Sequence, residues 1–196
     1  MKLNMPTKLT FTRMVLSGVI ILLMLFPWFR IGVEFPDYYF HGITIDLEII
    51  ISGIIFIIAS LTDFLDGYLA RKNNQVTDFG KFIDAIADKV LVNSVLIIFA
   101  AKGIIPCIIP VIIVVRDIIV DAIRMSAAGK GKVQAAKMSG KLKTATLMIG
   151  MVLTFFYNLP FELLGIDVAN AFLYFGALMS LVSMYEYYKL NKKYIL

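Results

Sequence analysis

Asp63 and Asp66 stand three residues apart and Asp84 and Asp88 four apart, so each pair shares one face of a helix. With Gly67, Ala70, Arg71 and Gly80 they form the pattern Asp-x₂-Asp-Gly-x₂-Ala-Arg-x₈-Gly-x₃-Asp-x₃-Asp. All four carboxylates fall in otherwise apolar segments. An ionised carboxylate in a bilayer costs about 3 kcal/mol or more, so four held close together demand compensating positive charge. Two divalent cations would cancel four negative charges, and hard ions such as Mg²⁺ or Mn²⁺ suit an all-oxygen site. Paired metals on carboxylates serve displacement at phosphorus, so the pattern points to phosphoryl chemistry. The alternative is four neutral acids bonded to neighbouring helices. Four acids at one depth argue against it.

The carboxylates meet only if two neighbouring antiparallel helices carry them. Composition supplies such helices: 60% of the 196 residues are apolar, 17% are charged and the mean hydropathy is +0.85. These values predict an all-α integral membrane protein, a single membrane domain over residues 1–196. Runs such as 49–61, 90–101 and 104–115 are apolar on every side. Six transmembrane helices are expected, at about 8–29, 46–71, 78–101, 104–126, 137–157 and 166–188, behind a short interfacial N-terminal arm. A turn near 73–77 would place Asp66 and Asp84 about 10 Å into their helices and Asp63 and Asp88 about 14–16 Å, so the two pairs are level.

Charge placement predicts the orientation. Seventeen of the 19 basic residues fall near the N-terminus, the 2–3 turn, the 4–5 turn or the C-terminus, leaving Arg30 and Lys102 for the other side. Both termini and the aspartate end are therefore expected in the cytoplasm. The net charge of +5 reads as this bias plus attraction to anionic lipid, not as nucleic-acid binding. Span 1 is followed by bulky Phe26-Pro27-Trp28-Phe29-Arg30 and reads as a retained helix, not a cleaved signal. Cys107 stands alone in an apolar span and reads as inert packing. His41 falls in an outside loop. Intrachain disulfides, Cys/His zinc sites and His-dependent nucleophilic engines are thereby excluded.

The full pattern over residues 63–88 resembles the signature of the CDP-alcohol phosphotransferase family. The resemblance implies six transmembrane helices, a homodimer, and displacement of CMP from a CDP-linked lipid or alcohol by an incoming hydroxyl. It implies two divalent cations, Mg²⁺ or Mn²⁺, held by Asp63, Asp66, Asp84 and Asp88. Asp88 would also accept the hydroxyl proton, while Asp66, Gly67, Ala70, Arg71 and Gly80 would form the CDP site. Three further segments, Asn4-Met5-Pro6-Thr7-x-Leu9-Thr10-x-x-Arg13, Ala87-Asp88-Lys89-Val90-Leu91-Val92 and Gly140-Lys141-x-Lys143-Thr144, are similar to the branch whose acceptor is glycerol 3-phosphate. That likeness implies CDP-diacylglycerol and glycerol 3-phosphate as substrates, phosphatidylglycerophosphate and CMP as products, and a bacterial cytoplasmic membrane as the location. Ala85 and Arg116-Asp117 depart from the family's usual proline and Arg-Glu.

A dianionic acceptor needs fixed positive charge, for which Arg116 and Lys137 stand first, then Arg124 and Lys141. Arg116 lies about 12 Å deeper than Arg124, too deep for a loop charge. Lys130, Lys132 and Lys143 read as topology and anionic-lipid charges, with Asp117 and Asp121 pairing the bases. In the arm, Asn4 suits a helix cap, Pro6 an early helical position, and Thr10 and Arg13 face a common side. Two other readings are a family member with another acceptor, such as a cardiolipin or phosphatidylserine synthase, and a small ion-coupled transporter. No internal repeat of the transporter kind is visible.

Overall fold

A computed structural model describes the backbone of residues 5–72, 78–129 and 138–195, and the side chains of residues 7–63, 80, 82–129 and 138–192. Six helices form: α1 (Met5–Leu25), α2 (Leu47–Lys72), α3 (Asp78–Ala101), α4 (Ile108–Gly129), α5 (Met138–Phe155) and α6 (Val168–Ile195). Each coincides with an apolar run expected to be helical. The ends are set by local chemistry. Pro27 follows α1, and the Trp28 indole N–H donates to the Leu23 carbonyl at 2.8 Å, satisfying one of the last acceptors of the helix. Gly103 at φ +73° and Pro106 delay α4 to Ile108, later than the expected 104, so Cys107 lies exposed in the turn before the helix.

Two further features depart from expectation. The region expected to be a plain outside loop contains an antiparallel hairpin, β1 (Asp37–Phe40) with β2 (Ile43–Asp46), so the chain is not purely helical. Its two-residue turn, His41-Gly42, takes positive φ at both positions (47° and 85°), which glycine tolerates and which matches strand twist. The expected separate N-terminal arm is absent from residue 5 onward, since these residues are the first turns of α1. Asn4 lies outside the described residues.

The bundle divides into halves: α1 packs on α2 and α3, α6 packs on α4 and α5, and lighter contacts join the halves. Phe155 sits at the junction, its ring 5.4 Å from Phe56 and 4.6 Å from Phe99, with Leu91, Leu96, Ile109, Leu147, Met151 and Leu173 buried around it. Polar and charged side chains share the interior with this apolar core, and apolar side chains cover much of the outside. Arg13, Ser17, Ser52, Arg116, Asp117, Lys143, Ser180 and Ser183 are buried, while Val15, Leu22, Ile54, Ile58, Val111, Val115, Leu178 and Val182 face outward. Apolar side chains on the outside and charges within suit a hydrocarbon solvent. By length and composition, the described stretches Thr7–Leu25 and Val168–Lys192 are long and apolar enough to cross a bilayer.

The two ends of the bundle differ. At the hairpin end, Lys102 pairs with Glu48 at 2.6 Å and the Asp46 backbone N–H donates to the Tyr157 hydroxyl at 2.7 Å. Asn158 donates to Glu162 and to the Ile166 carbonyl and accepts from the Ala169 N–H, tying the α5–α6 connection. The Glu48–Lys102 pair brings the start of α2 level with the end of α3. The aspartates at the opposite ends of these helices are therefore level too.

The seam between α5 and α6 relies on two close approaches. A Cβ at Gly150 would lie 2.8 Å from Leu173 Cδ2 and 3.1 Å from its backbone nitrogen, and one at Gly176 would lie 2.7 Å from Leu147 Cδ2. Gly150→Ala is expected to overpack this seam and lower stability by about 1–3 kcal/mol, read by thermal unfolding in detergent. Gly18→Ala, where a Cβ meets nothing within 4 Å, should cost nothing. Equal losses in both variants would contradict the packing account.

Candidate active site

The site begins on α1. Thr7, Thr10, Arg13, Ser17, Ile20 and Met24 recur at helical spacing and are all buried, forming the stripe by which α1 docks on α2 and α3. Arg13 is fully buried, and its Nη1 lies 2.7 Å from Asp63 Oδ1 and 2.9 Å from Asp84 Oδ1. One guanidinium nitrogen thus joins carboxylates from two other helices. A buried arginine needs such partners, because an uncompensated charge away from water is costly. Sequence spacing set Asp66 level with Asp84 and Asp63 level with Asp88; the described contacts bring one acid of each helix, Asp63 and Asp84, to the same nitrogen. Sequence reasoning gave Arg13 only a shared side with Thr10, although a charge on that buried stripe was the signal for a deeper role.

Asp88, one turn beyond Asp84 on α3, faces the other half of the bundle. With Lys89, Val92, Asp117, Lys143, Thr144 and Leu147 it lines a cavity of about 20 Å³, room for about one water molecule. Lys143 Nζ lies 2.6 Å from Asp117 Oδ1, and Arg116 Nη1 lies 2.9 Å from the same oxygen. Arg116 also donates through Nη2 to Ser183 Oγ at 2.7 Å and through Nε to the Ser180 carbonyl at 3.3 Å. A ladder of charge thereby runs from Asp88 through Lys143 and Asp117 to Arg116, anchored on α6. Lys143 is buried within the bundle, unlike the topology and anionic-lipid charge expected from sequence.

The other expected residues divide. Arg124 is exposed and stacks over the Tyr187 ring at 5.7 Å, Lys141 is exposed, and Lys89 pairs with Asp121. Gly80 occupies the first turn of α3. Asp66, Gly67, Ala70 and Arg71 belong to α2, but their side chains lie outside the described residues, as does Lys137 entirely together with Lys130 and Lys132. The described structure therefore joins Asp63 with Asp84, and sets Asp88 beside Lys143 and Asp117. Among the described residues no group of three or more candidate ligands forms, a set that omits the Asp66 side chain.

The residues present suit a divalent cation. The donors are carboxylate oxygens, hard ligands for hard ions. Asp63 and Asp84 each contact the Arg13 cation, yet 43% and 45% of their side-chain surfaces stay open. Carboxylates drawn to one point and still accessible are what a second, incoming cation requires.

Comparison with known proteins agrees with this chemistry. The profile of the CDP-alcohol phosphatidyltransferase family matches residues 3–182. The chain is 38% identical over 190 residues to the CDP-diacylglycerol–glycerol-3-phosphate 3-phosphatidyltransferase of Bacillus subtilis, covering 96% of this chain and 95% of that protein. It is 33% identical over 196 residues to the enzyme of the same name from Rickettsia prowazekii, covering 97% of each. Among solved structures, the apo phosphatidylinositol phosphate synthase of Mycobacterium tuberculosis superposes with a TM-score of 0.57 over 93% of this chain and 86% of that one. Their identity is 17%, so that likeness speaks to the fold.

Asp117 carries two buried cations, and its loss would leave both without their shared carboxylate. Asp117→Asn is expected to destabilise the protein by about 3–5 kcal/mol. Denaturation in mild detergent measures this, and a loss within about 0.5 kcal/mol, typical of an exposed pair, would contradict the buried ladder.

Proposed function

The chain belongs to the CDP-alcohol phosphatidyltransferase family, and on that premise we propose that it transfers a phosphatidyl group from CDP-diacylglycerol to glycerol 3-phosphate, yielding phosphatidylglycerophosphate and CMP. The near end-to-end likeness to glycerol-3-phosphate 3-phosphatidyltransferases supports the acceptor. The convergence of Asp63 and Asp84 on one cation is the structural observation that carries the chemistry.

In this reading Asp63, Asp66, Asp84 and Asp88 hold two divalent cations, Mg²⁺ or Mn²⁺. When bound, these ions neutralise the diphosphate and stabilise the leaving phosphate oxygen. Gly67, Ala70 and Gly80 leave room for the nucleotide against the helices, while Arg71 directs its fork of donors to the diphosphate. Asp88 takes the proton from the 1-hydroxyl of glycerol 3-phosphate as that oxygen bonds to the phosphatidyl phosphorus. The bond from this phosphorus to the CMP oxygen breaks, and CMP departs. Arg116, Lys137, Arg124 and Lys141 supply positive charge for the acceptor phosphate. Lys143, at the cavity it shares with Asp88, joins them.

The same reading places six spans across a bacterial cytoplasmic membrane, with both termini and the aspartate end on the cytoplasmic side, where a soluble phosphorylated acceptor arrives. The clustering of basic residues toward that end and of Glu34, Asp37, Glu162 and Asp167 toward the hairpin end supports the orientation. The family resemblance supports a homodimer.

Purified protein in mixed micelles with Mg²⁺ or Mn²⁺ should release CMP from CDP-diacylglycerol when glycerol 3-phosphate is added, and not with serine, inositol phosphate or phosphatidylglycerol. Activity solely with one of the other acceptors would overturn the substrate assignment. Asp88→Asn should slow turnover by about 10² or more while leaving the melting temperature close to that of the unchanged protein. Near-normal turnover would remove Asp88 from its role.

A further inference from the structure

Arg13 belongs to no part of the reaction described above, yet it occupies the point where Asp63 and Asp84 meet. Its side chain is fully buried, it arrives from a third helix, and a single nitrogen reaches both carboxylates. Each carboxylate keeps part of its surface exposed, 43% for Asp63 and 45% for Asp84. The flanking residues of the α1 stripe, Thr10 and Ser17, are buried with it, and Ser17 Oγ bonds the Arg13 carbonyl at 2.8 Å. The backbone that delivers the guanidinium is therefore held at the same interface.

We infer that Arg13 is the internal counter-charge of the aspartate site: it positions Asp63 and Asp84 against each other and offsets their repulsion, so that the carboxylates stay converged in the folded chain before any divalent cation binds. The cation-binding role of those aspartates rests on the function proposed above, whereas the coupling of Arg13 to them rests on the distances alone. The electrostatic reasoning is simple. Two carboxylates drawn together in a medium of low polarity repel strongly, and without a counter-charge they would swing apart. A permanent cation between them removes that penalty, and arginine stays charged at any physiological pH. Its position on α1 makes docking of the first helix and assembly of the aspartate pair a single event.

The inference makes Arg13 a positioning residue, with a signature that plain packing would not produce. In EDTA, Arg13→Gln should lower the melting temperature in detergent, because the carboxylates lose their counter-charge. Mg²⁺ or Mn²⁺ should then raise the melting temperature of Arg13→Gln by more than it raises that of the unchanged protein, since the ions replace the missing charge. Arg13→Lys, which keeps the charge, should respond to the ions as the unchanged protein does. If Arg13→Gln alone does not fold, Arg13→Gln with Asp63→Asn, which removes one of the repelling carboxylates, should recover folded protein.

An Arg13→Gln variant as stable in EDTA as the unchanged protein would overturn the inference. So would an Arg13→Lys variant that behaves like Arg13→Gln, or a double variant with no recovery over the single one. Stabilisation by the ions of equal size with and without Arg13 would also overturn it, while leaving the metal reading intact. If no protein responds to the ions but the double variant recovers in EDTA, the counter-charge stands and the metal reading falls.

Discussion

One buried guanidinium held between two carboxylates from different helices is the interaction from which the rest of this structure follows. Arg13 can be buried because Asp63 and Asp84 meet it, and those acids can approach each other because Arg13 stands between them. Removal of the acids leaves a fully buried cation uncompensated, and removal of Arg13 leaves two converged acids without their counter-charge. The three helices that contribute these groups form one half of the molecule. Their antiparallel register is tied again at the far end by Glu48 and Lys102.

The second half solves the same problem with different residues. Asp117 serves two cations at once, and Arg116 spends its remaining donors on a serine hydroxyl and a backbone carbonyl of α6. Asp88 stands where the halves face each other, across a small cavity from Lys143. Asp88 thus faces the Lys143–Asp117–Arg116 ladder across that cavity. The α5–α6 seam, closed by glycines that admit Leu173 and Leu147, keeps the second half rigid enough to hold its charges in place.

Much of this was legible in the sequence, for physical reasons. Long apolar runs announce helices by themselves, and carboxylates at helical spacing inside them announce a charged site that must be balanced. The position of the 73–77 turn and the rise of a helix set Asp66 level with Asp84 and Asp63 level with Asp88, which puts the two acid pairs at one end of the bundle but does not foretell that Asp63 and Asp84 share a partner. What escaped was tertiary. The shared side of Thr10 and Arg13 is visible in the spacing, but which helices that side of α1 packs against is not, so Arg13 could not be tied to the aspartates. Lys143 read as a topology and anionic-lipid charge because its partner, Asp117, lies 26 residues away on another helix. The hairpin over 37–46 was missed because four-residue strands between bulky turns carry too little periodicity to outweigh a loop.

The central claim is that acids from α2 and α3 converge to hold divalent cations against the counter-charge of α1. Anomalous diffraction from crystals grown with Mn²⁺ tests it most directly. The account predicts manganese peaks within bonding distance of Asp63 and Asp84 oxygens, and their loss in crystals of Asp84→Asn. Manganese bound elsewhere, or peaks at this position that persist without Asp84, would contradict it.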